Sequence, residues 1–379
     1  MEQLLALSWN FLNFIIVLSV VVFVHEMGHF LVARYCSVKC EVFSIGFGPE
    51  LFGFNDKYET RWKFCIIPLG GYVKMFGESE TANPTSSKNK NSEDIKLTEL
   101  EKSQSFKYKS IYQRSLIVFA GPAVNFLFAI IVFFLLNISI GSPQTEPIIG
   151  IVQEDSAAFE AGIEVGDEIL SINGNHIEKF EDIQRIIPLS NGVPLEIKLL
   201  RDSSIIEVVA NPKLIETLDP FGNLKKRILL GISSAGQTKL VTIHNPFKAL
   251  YFSVKQTFTY SADTLLYVSQ IISGKRGTED LGGPVSIMKI SGTAAKSGII
   301  SLFVFMAILS INLGIINLFP IPLLDGGHLM FYAIEAIFGK PLPEYVQEWG
   351  LRFGLALLLI LMIFVFKNDI AVLPALLKW

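Results

Sequence analysis

VVFVHEMGHFLVARYC, residues 21–36, sets two histidines and a glutamate inside a run of valines and phenylalanines, and its reading decides the fold. If the run is a helix crossing a membrane, each ionisable group in it costs at least about 2.5 kcal/mol to hold in lipid, so the cluster needs a compensating partner. His25 and His29 are four residues apart, which places them about 40° apart on one face of a helix, where both imidazoles reach one ion. His-Glu-x-x-His on a helix is the pattern of a zinc peptidase site, with Glu26 beside the ligands to take a proton from water.

The rest of the chain supports a membrane setting. Of its 379 residues 50% are hydrophobic, 30 are Phe and only 18% are charged, with a mean hydropathy of +0.46, a composition that excludes an ordinary soluble enzyme. A net charge of -3 shows no basic surplus, so no nucleic-acid partner is expected. Cys36, Cys40 and Cys65 are odd in number and read as reduced, packed thiols, with the Cys-x3-Cys pair a weak metal candidate.

Uncharged runs at 4–24, 115–145 and 297–324 each exceed the roughly 20 residues that span a hydrocarbon core of about 30 Å. A fourth run, 353–366, lies between Arg352 and Lys367, whose long side chains can snorkel. The expected fold is a polytopic α-helical membrane protein of about four transmembrane helices. The first run lacks the basic flank of a cleavable signal and is expected to remain in the mature chain. Arg34, Lys39, Lys102, Lys107, Lys109 and Arg114 put the 35–114 segment in the cytosol. The first and third spans then run parallel, and the polar groups near their carboxyl ends meet at one depth, near the cytoplasmic side.

The second polar group is NLFPIPLLDGGHLM, residues 317–330. It offers Asp325 and His328 as a third ligand, and spacing does not choose between them. Pro320 and Pro322 break the helix there, while Gly326 and Gly327 allow close backbone approach.

The predicted layout is a first span over 1–34, a cytosolic or re-entrant β-hairpin region over 35–77, a polar loop over 78–112 and a second span over 113–142. The hairpin pairs residues 42–54 with 62–75 about a turn at Asn55-Asp56-Lys57. Residues 78–104 read as a loosely ordered loop. An exterior block follows: alternating strands and turns over 147–213, then 214–296 with an amphipathic helix on the membrane surface rather than a fifth span. The third span covers 297–325, and 326–379 holds a membrane-associated helix, the fourth span and a tail. His176 reads as plain surface, and His244 as a cap or first residue of the amphipathic helix. GTEDLGGPVSIMKI, 277–290, offers no chemistry that the residues alone explain.

HEMGH at 25–29, SIGFGPELFGF at 44–54, IIPLGGYVKMFGE at 66–78 and NLFPIPLLDGG at 317–327 together resemble the RseP branch of the site-2 protease family, the regulated intramembrane zinc metalloproteases. The likeness covers nearly the whole chain. It implies zinc as cofactor, His25, His29 and Asp325 as its ligands and Glu26 as general base, with His328 left in a supporting place. It implies that Asn317, in the loop shaped by Pro320 and Pro322, contacts the substrate backbone. It also implies that the hairpin, with Gly46 and Gly48 in its first strand, dips into the membrane and takes the substrate as an added strand. Residues 147–213 resemble one PDZ domain of the bacterial protease type. Its expected open edge is Ile148, Ile149, Gly150 and Ile151, continuing to Val152, which would bind an extracytoplasmic peptide end unless the domain acts as a size filter. The activity implied is cleavage within the membrane segment of single-span proteins, such as anti-sigma factors and remnant signal peptides, after a first extracytoplasmic cut. The setting implied is the bacterial inner membrane, in contact with its lipids, with the PDZ domain periplasmic. A metal transporter would spread its polar groups over repeated spans, and a non-catalytic PDZ receptor would have no use for Glu26.

Overall fold

The structure is a computed structural model that describes residues 2–78, 98–218, 224–236, 239–278 and 281–376. The chain divides into two compact units, residues 1–132 with 281–371 and residues 133–280 with 372–379. Among the described residues four helices are long and apolar enough to cross a membrane: Leu5–Tyr35, Ile111–Ser139, Ile299–Leu318 and Glu344–Ile370.

In the first unit α1 (Glu2–Tyr35) stops where Ser37 turns left-handed at φ 57° and the Val38 amide bonds the Ala33 carbonyl at 2.9 Å, a closure that satisfies the last carbonyls of the helix. The expected hairpin forms as β1 (Cys40–Asn55) and β2 (Arg61–Met75), but it is not a simple ribbon. Phe43 pairs with both Val73 and Trp62, and Trp62 pairs again with Phe54. Each long strand therefore folds over on itself, giving four segments in the order 52–55, 61–64, 42–45 and 71–75, antiparallel at the two outer pairings and parallel in register where 61–64 meets 42–45. The bends are local: Gly46 and Gly48 hold φ near 89° and 88° and Gly70 holds 117°, conformations that a Cβ opposes. Aromatic packing holds the curl to α1, with Phe43 stacked on Trp62 at 4.4 Å and Phe30 edge-on to both. Arg34 ties the turn to the helix through Asp56 and, at 3.0 Å, Thr60 Oγ1.

The polar loop lies mostly outside the described residues, yet its end is ordered differently from the expectation. Thr98 caps a short helix α2 (Glu99–Gln104) with a complete capping box to Glu101, the pairing that satisfies two orphan amides at once. Then α3 (Ile111–Ser139) begins, with Pro122 inside it.

The second unit is β-rich. Its elements in order are β3 (Ser142–Gln144), β4 (Ile149–Val152), α4 (Ala157–Glu160), β5 (Glu168–Ile172), β6 (Asn175–His176), α5 (Phe180–Leu189), β7 (Leu195–Arg201), β8 (Ser204–Ala210), β9 (Lys213–Leu218), β10 (Leu224–Leu229), β11 (Ile232–Ser234) and β12 (Lys239–Val241). A four-stranded sheet has the order β6-β5-β7-β8. Leu195, Ile197 and Leu199 alternate inward along β7 and meet Ile169, Ile172, Ile183 and Ile187 in one core, the two-residue period of a half-buried strand.

Two sequence expectations are corrected here. The core includes Ile228 and Leu230, so the domain runs past residue 213. The edge formed by Ile148, Ile149, Gly150 and Ile151 is closed: Val152, Ile151 and Ile149 pair with Ile232, Ser233 and Ser234 of β11, and the Ile148 carbonyl accepts from the Ala235 amide at 2.9 Å. A strand supplied about eighty residues later takes the place expected for a peptide.

The amphipathic helix forms as α6 (Pro246–Ile272), capped by Asn245 rather than His244; Asn245 Oδ1 accepts from the Phe247 amide at 2.9 Å. Its buried face is small, Ala249, Ser253, Thr257 and Gln270, while Phe247 and Phe258 stand 83% and 77% exposed. Large apolar groups therefore face outward.

Back in the first unit, α7 (Pro284–Lys296), α8 (Ile299–Leu318), α9 (Asp325–Phe338) and α10 (Glu344–Leu376) complete the chain. The fourth apolar helix is thus longer than the 353–366 expected. Val17 and Val21 of α1 share a buried cluster with Leu302 and Met306 of α8. Farther toward both carboxyl ends His25 meets Asn317, so α1 and α8 run parallel, as the sequence implied. The GGPVSI stretch gains a role: the Asp369 carboxylate of α10 accepts from the amides of Gly283, Val285 and Ser286 and from Ser286 Oγ, holding the start of α7.

Candidate metal centre

His25 and His29 lie on one face of α1, as their spacing dictates, and the break after α8 delivers Asp325 to them. Leu324 precedes the first turn of α9 and Asp325 opens it. The loop is compact because Gly326 and Gly327 lie where a Cβ would strike the Leu318, Phe319 and Ile321 carbonyls. Leu323 sits at φ 99°, a strained conformation for a side chain of that size.

Three ligand atoms converge. His25 Nε2 is 3.2 Å from His29 Nε2, and Asp325 Oδ2 is 3.2 Å from the first and 3.5 Å from the second. Among the described residues this is the one group of three or more histidine, cysteine or acidic side chains able to hold a metal ion. The geometry fits zinc: bonds of about 2.0–2.2 Å at tetrahedral angles set ligand atoms about 3.3–3.6 Å apart. Asp325 Oδ2 is buried with no hydrogen-bond partner, a costly state for a carboxylate unless a cation faces it. His328, the other candidate, lies outside the group and sets its ring edge-on to Phe331 at 6.4 Å.

The cysteines take no part in it: Cys36, Cys40 and Cys65 are free and buried, and none belongs to the metal-holding group found among the described residues.

Glu26 faces the curled sheet. A Cβ on Gly71 would lie 3.1 Å from its Cγ, and the Val73 backbone amide hydrogen-bonds its carboxylate. Residues 71–75 form an outer segment of the sheet among the described residues, so a strand edge passes directly beside the carboxylate.

The remaining expected residues divide. Asn317 belongs, with Nδ2 3.3 Å from His25 Nε2. Pro322 is buried beneath α10, where a Cβ on Gly354 would strike its carbonyl, so it shapes the loop rather than offering a surface to a substrate. Pro320 is exposed. Gly46 and Gly48 bend β1 against Ile67 and not against the cluster. Ile148, Ile149, Gly150 and Ile151 belong to the second unit and are paired with β11.

Sequence reading missed α3. The Ile117 carbonyl accepts from His29 Nδ1 at 2.9 Å, Asn125 Nδ2 lies 3.1 Å from His25 Nδ1, and a Cβ on Gly121 would overlap the His29 ring and come within 2.8 Å of His25 Cε1. These residues fall at i, i+4 and i+8, one stripe facing the histidine pair. A polar residue in an uncharged span was the available signal, but Asn13 and Asn137 give the same signal and turn to the Trp9 carbonyl and to Ser253 instead.

The chain's likeness to known proteins agrees with this chemistry. The sequence pattern of Peptidase family M50 matches residues 13–361. A protein of Mesorhizobium japonicum is 43% identical over 360 residues, covering 94% of this chain and 97% of its own length. Relatives from Rickettsia conorii and Campylobacter jejuni are 38% and 36% identical, covering 95% and 96% of this chain and 98% and 94% of theirs. All three carry the name "Putative zinc metalloprotease".

Proposed function

This chain belongs to peptidase family M50 and is a zinc metalloendopeptidase, and from that premise we propose that it cuts peptide bonds within the membrane segment of single-span proteins, using His25, His29 and Asp325 to hold the zinc and Glu26 as general base. The observation that carries the reading is the triangle of ligand atoms, 3.2–3.5 Å on each side, built on helices apolar enough to span a bilayer.

A zinc ion held by His25, His29 and Asp325 would supply Lewis-acid chemistry, making a water acidic near neutral pH and a carbonyl more electrophilic. Glu26, beside the histidine pair, takes the proton from the attacking water and returns it to the departing amine. Asn317, whose Nδ2 lies 3.3 Å from His25 Nε2, donates to the substrate backbone in this reading. A helical substrate hides its carbonyls in its own hydrogen bonds. The outer segment 71–75 beside Glu26 gives an unwound substrate a strand to pair with, which exposes the bond to be cut.

Substrates in this reading have already lost their exterior domain, and the domain whose residues 147–213 are PDZ-like in sequence monitors that loss from the periplasmic side of the inner membrane. Since the Ile148–Ile151 edge is paired, any peptide end bound there would use another surface of the domain. The exposed Phe247 and Phe258 of α6 suit contact with lipid.

The test is Glu26→Gln in the full chain, assayed on a single-span reporter together with zinc analysis. Cleavage should fall by about 100-fold to 10,000-fold while one zinc per chain remains. Unchanged cleavage, or loss of the metal, would refute the assignment.

A further inference from the structure

We infer that Asn125 is a positioning residue that orients the His25 ring for the metal by accepting, through its side-chain oxygen, the proton on His25 Nδ1. The inference rests on the zinc site proposed above and concerns what holds its first ligand in place.

The two histidines are supported differently. His29 Nδ1 faces the Ile117 carbonyl at 2.9 Å, and a carbonyl only accepts, so the Nδ1 proton and the free Nε2 lone pair of His29 are settled by its neighbour. His25 Nδ1 faces the amide of Asn125 at 3.1 Å, and an amide offers a donor on one side and an acceptor on the other. Asn125 is fully buried, and its Oδ1 has no partner while Nδ2 points at the imidazole. The two ends of the amide are nearly the same shape, so turning the group by 180° keeps the packing and exchanges the atoms.

Turning it trades an unpaired oxygen for an unpaired nitrogen, so the surroundings of Asn125 do not choose. The ligand does. A histidine that binds a cation through Nε2 keeps its proton on Nδ1, and that proton needs an acceptor. With Oδ1 turned to His25, both histidines donate from Nδ1 into α3 and present Nε2 toward Asp325.

The placement of Asn125 is itself constrained. Its backbone carbonyl accepts from the buried Ser310 hydroxyl of α8 at 3.1 Å, and Gly121, one turn earlier, leaves room for both rings. The same stretch of α3 thus admits the pair and orients it.

The test compares zinc affinity, by chelator competition, of the full-length protein with Asn125→Leu and Asn125→Asp. Leu keeps the approximate size and removes the acceptor. Asp keeps an acceptor and removes the donor. Asn125→Leu should weaken zinc about 10-fold to 100-fold, and Asn125→Asp should stay within about threefold of the parent. Zinc binding by the Leu variant within twofold of the parent, or an Asp variant as weak as Leu, would overturn the inference. Should either variant fail to fold, the unaltered chain loaded with cobalt(II) decides by NMR. Two exchangeable, strongly shifted imidazole N–H signals are expected, both protected from solvent, and one signal alone would overturn the inference. A parent chain whose metal affinity is unchanged by His25→Ala would instead refute the zinc site itself.

Discussion

Asp325, part-buried with its Oδ2 shut away from solvent, and the fully buried Asp369 are both acidic groups of the first unit, and their surroundings are opposite. Asp369 accepts three backbone amides and the Ser286 hydroxyl, and Gly283 is needed because a Cβ there would strike the carboxylate. Asp325 Oδ2 has no such donor and faces two imidazole nitrogens at 3.2 and 3.5 Å. A carboxylate saturated by amides is already neutralised by fixed dipoles and serves the fold. One that faces only lone pairs is completed by a cation and serves the chemistry. Burial alone does not separate structure from function, whereas the kind of neighbour does.

The comparison breaks first at Asp325. Asp325→Asn should abolish zinc retention and lower cleavage by at least about 1,000-fold, some 4 kcal/mol of barrier. Melting of the metal-free protein should change little or rise, because an unpaired buried charge is removed. A metal-free variant markedly less stable than its metal-free parent would show that Asp325 also serves the fold. Asp369→Ala should do the reverse. It leaves four donors unmatched and should cost about 3–5 kcal/mol of stability, read by chemical denaturation in detergent, while the folded fraction still binds one zinc. Loss of zinc from that folded fraction would erase the distinction.

A third carboxylate, in the second unit, sharpens the rule at smaller scale. Burial alone would raise the Asp167 carboxyl, but hydrogen bonds from Arg201 and the Glu164 amide outweigh it and hold the group below its ordinary value of 3.8. Because the folded value is the lower one, the stabilisation is complete above the ordinary carboxylate range. It is lost as pH falls through the folded value. Hydrogen exchange of β5 and β7 in the full chain should therefore speed up at pH below about 4, and Asp167→Asn should remove that pH dependence at a cost of about 1.5–3 kcal/mol. An unchanged pH profile in the variant would show that Arg201 is not the cause.

Much of the active region was readable because its signals are short in range. The apolar runs at 4–24, 115–145 and 297–324 match the first three spanning helices, and the His25–His29 spacing alone put both rings on one face. Asn317 and Asp325 sit where Pro320 and Pro322 end a helix, as their backbone limits require. Asn125 and Gly121 escaped because nothing in a single helix tells which of its polar or small residues faces a neighbour. The Ile148–Ile151 edge was misread for a related reason: a strand's pattern shows that it pairs, and not with what.

The sequence by itself determined the apolar helices and the placing of both histidines on one helix face, because each depends on periodicity within a few residues, whereas the curl at Gly46, Gly48 and Gly70 was expected only as a plain hairpin. Spacing left Asp325 and His328 open and the family resemblance pointed to Asp325; the tertiary structure brings Asp325, and not His328, to the two imidazoles. It also decided that Asn125 stands behind His25, that β11 covers β4 and that residues 71–75 present a strand edge to Glu26. Those outcomes depend on which distant segments pack together, and a contact between residues 25 and 325 leaves no trace in the local pattern of either.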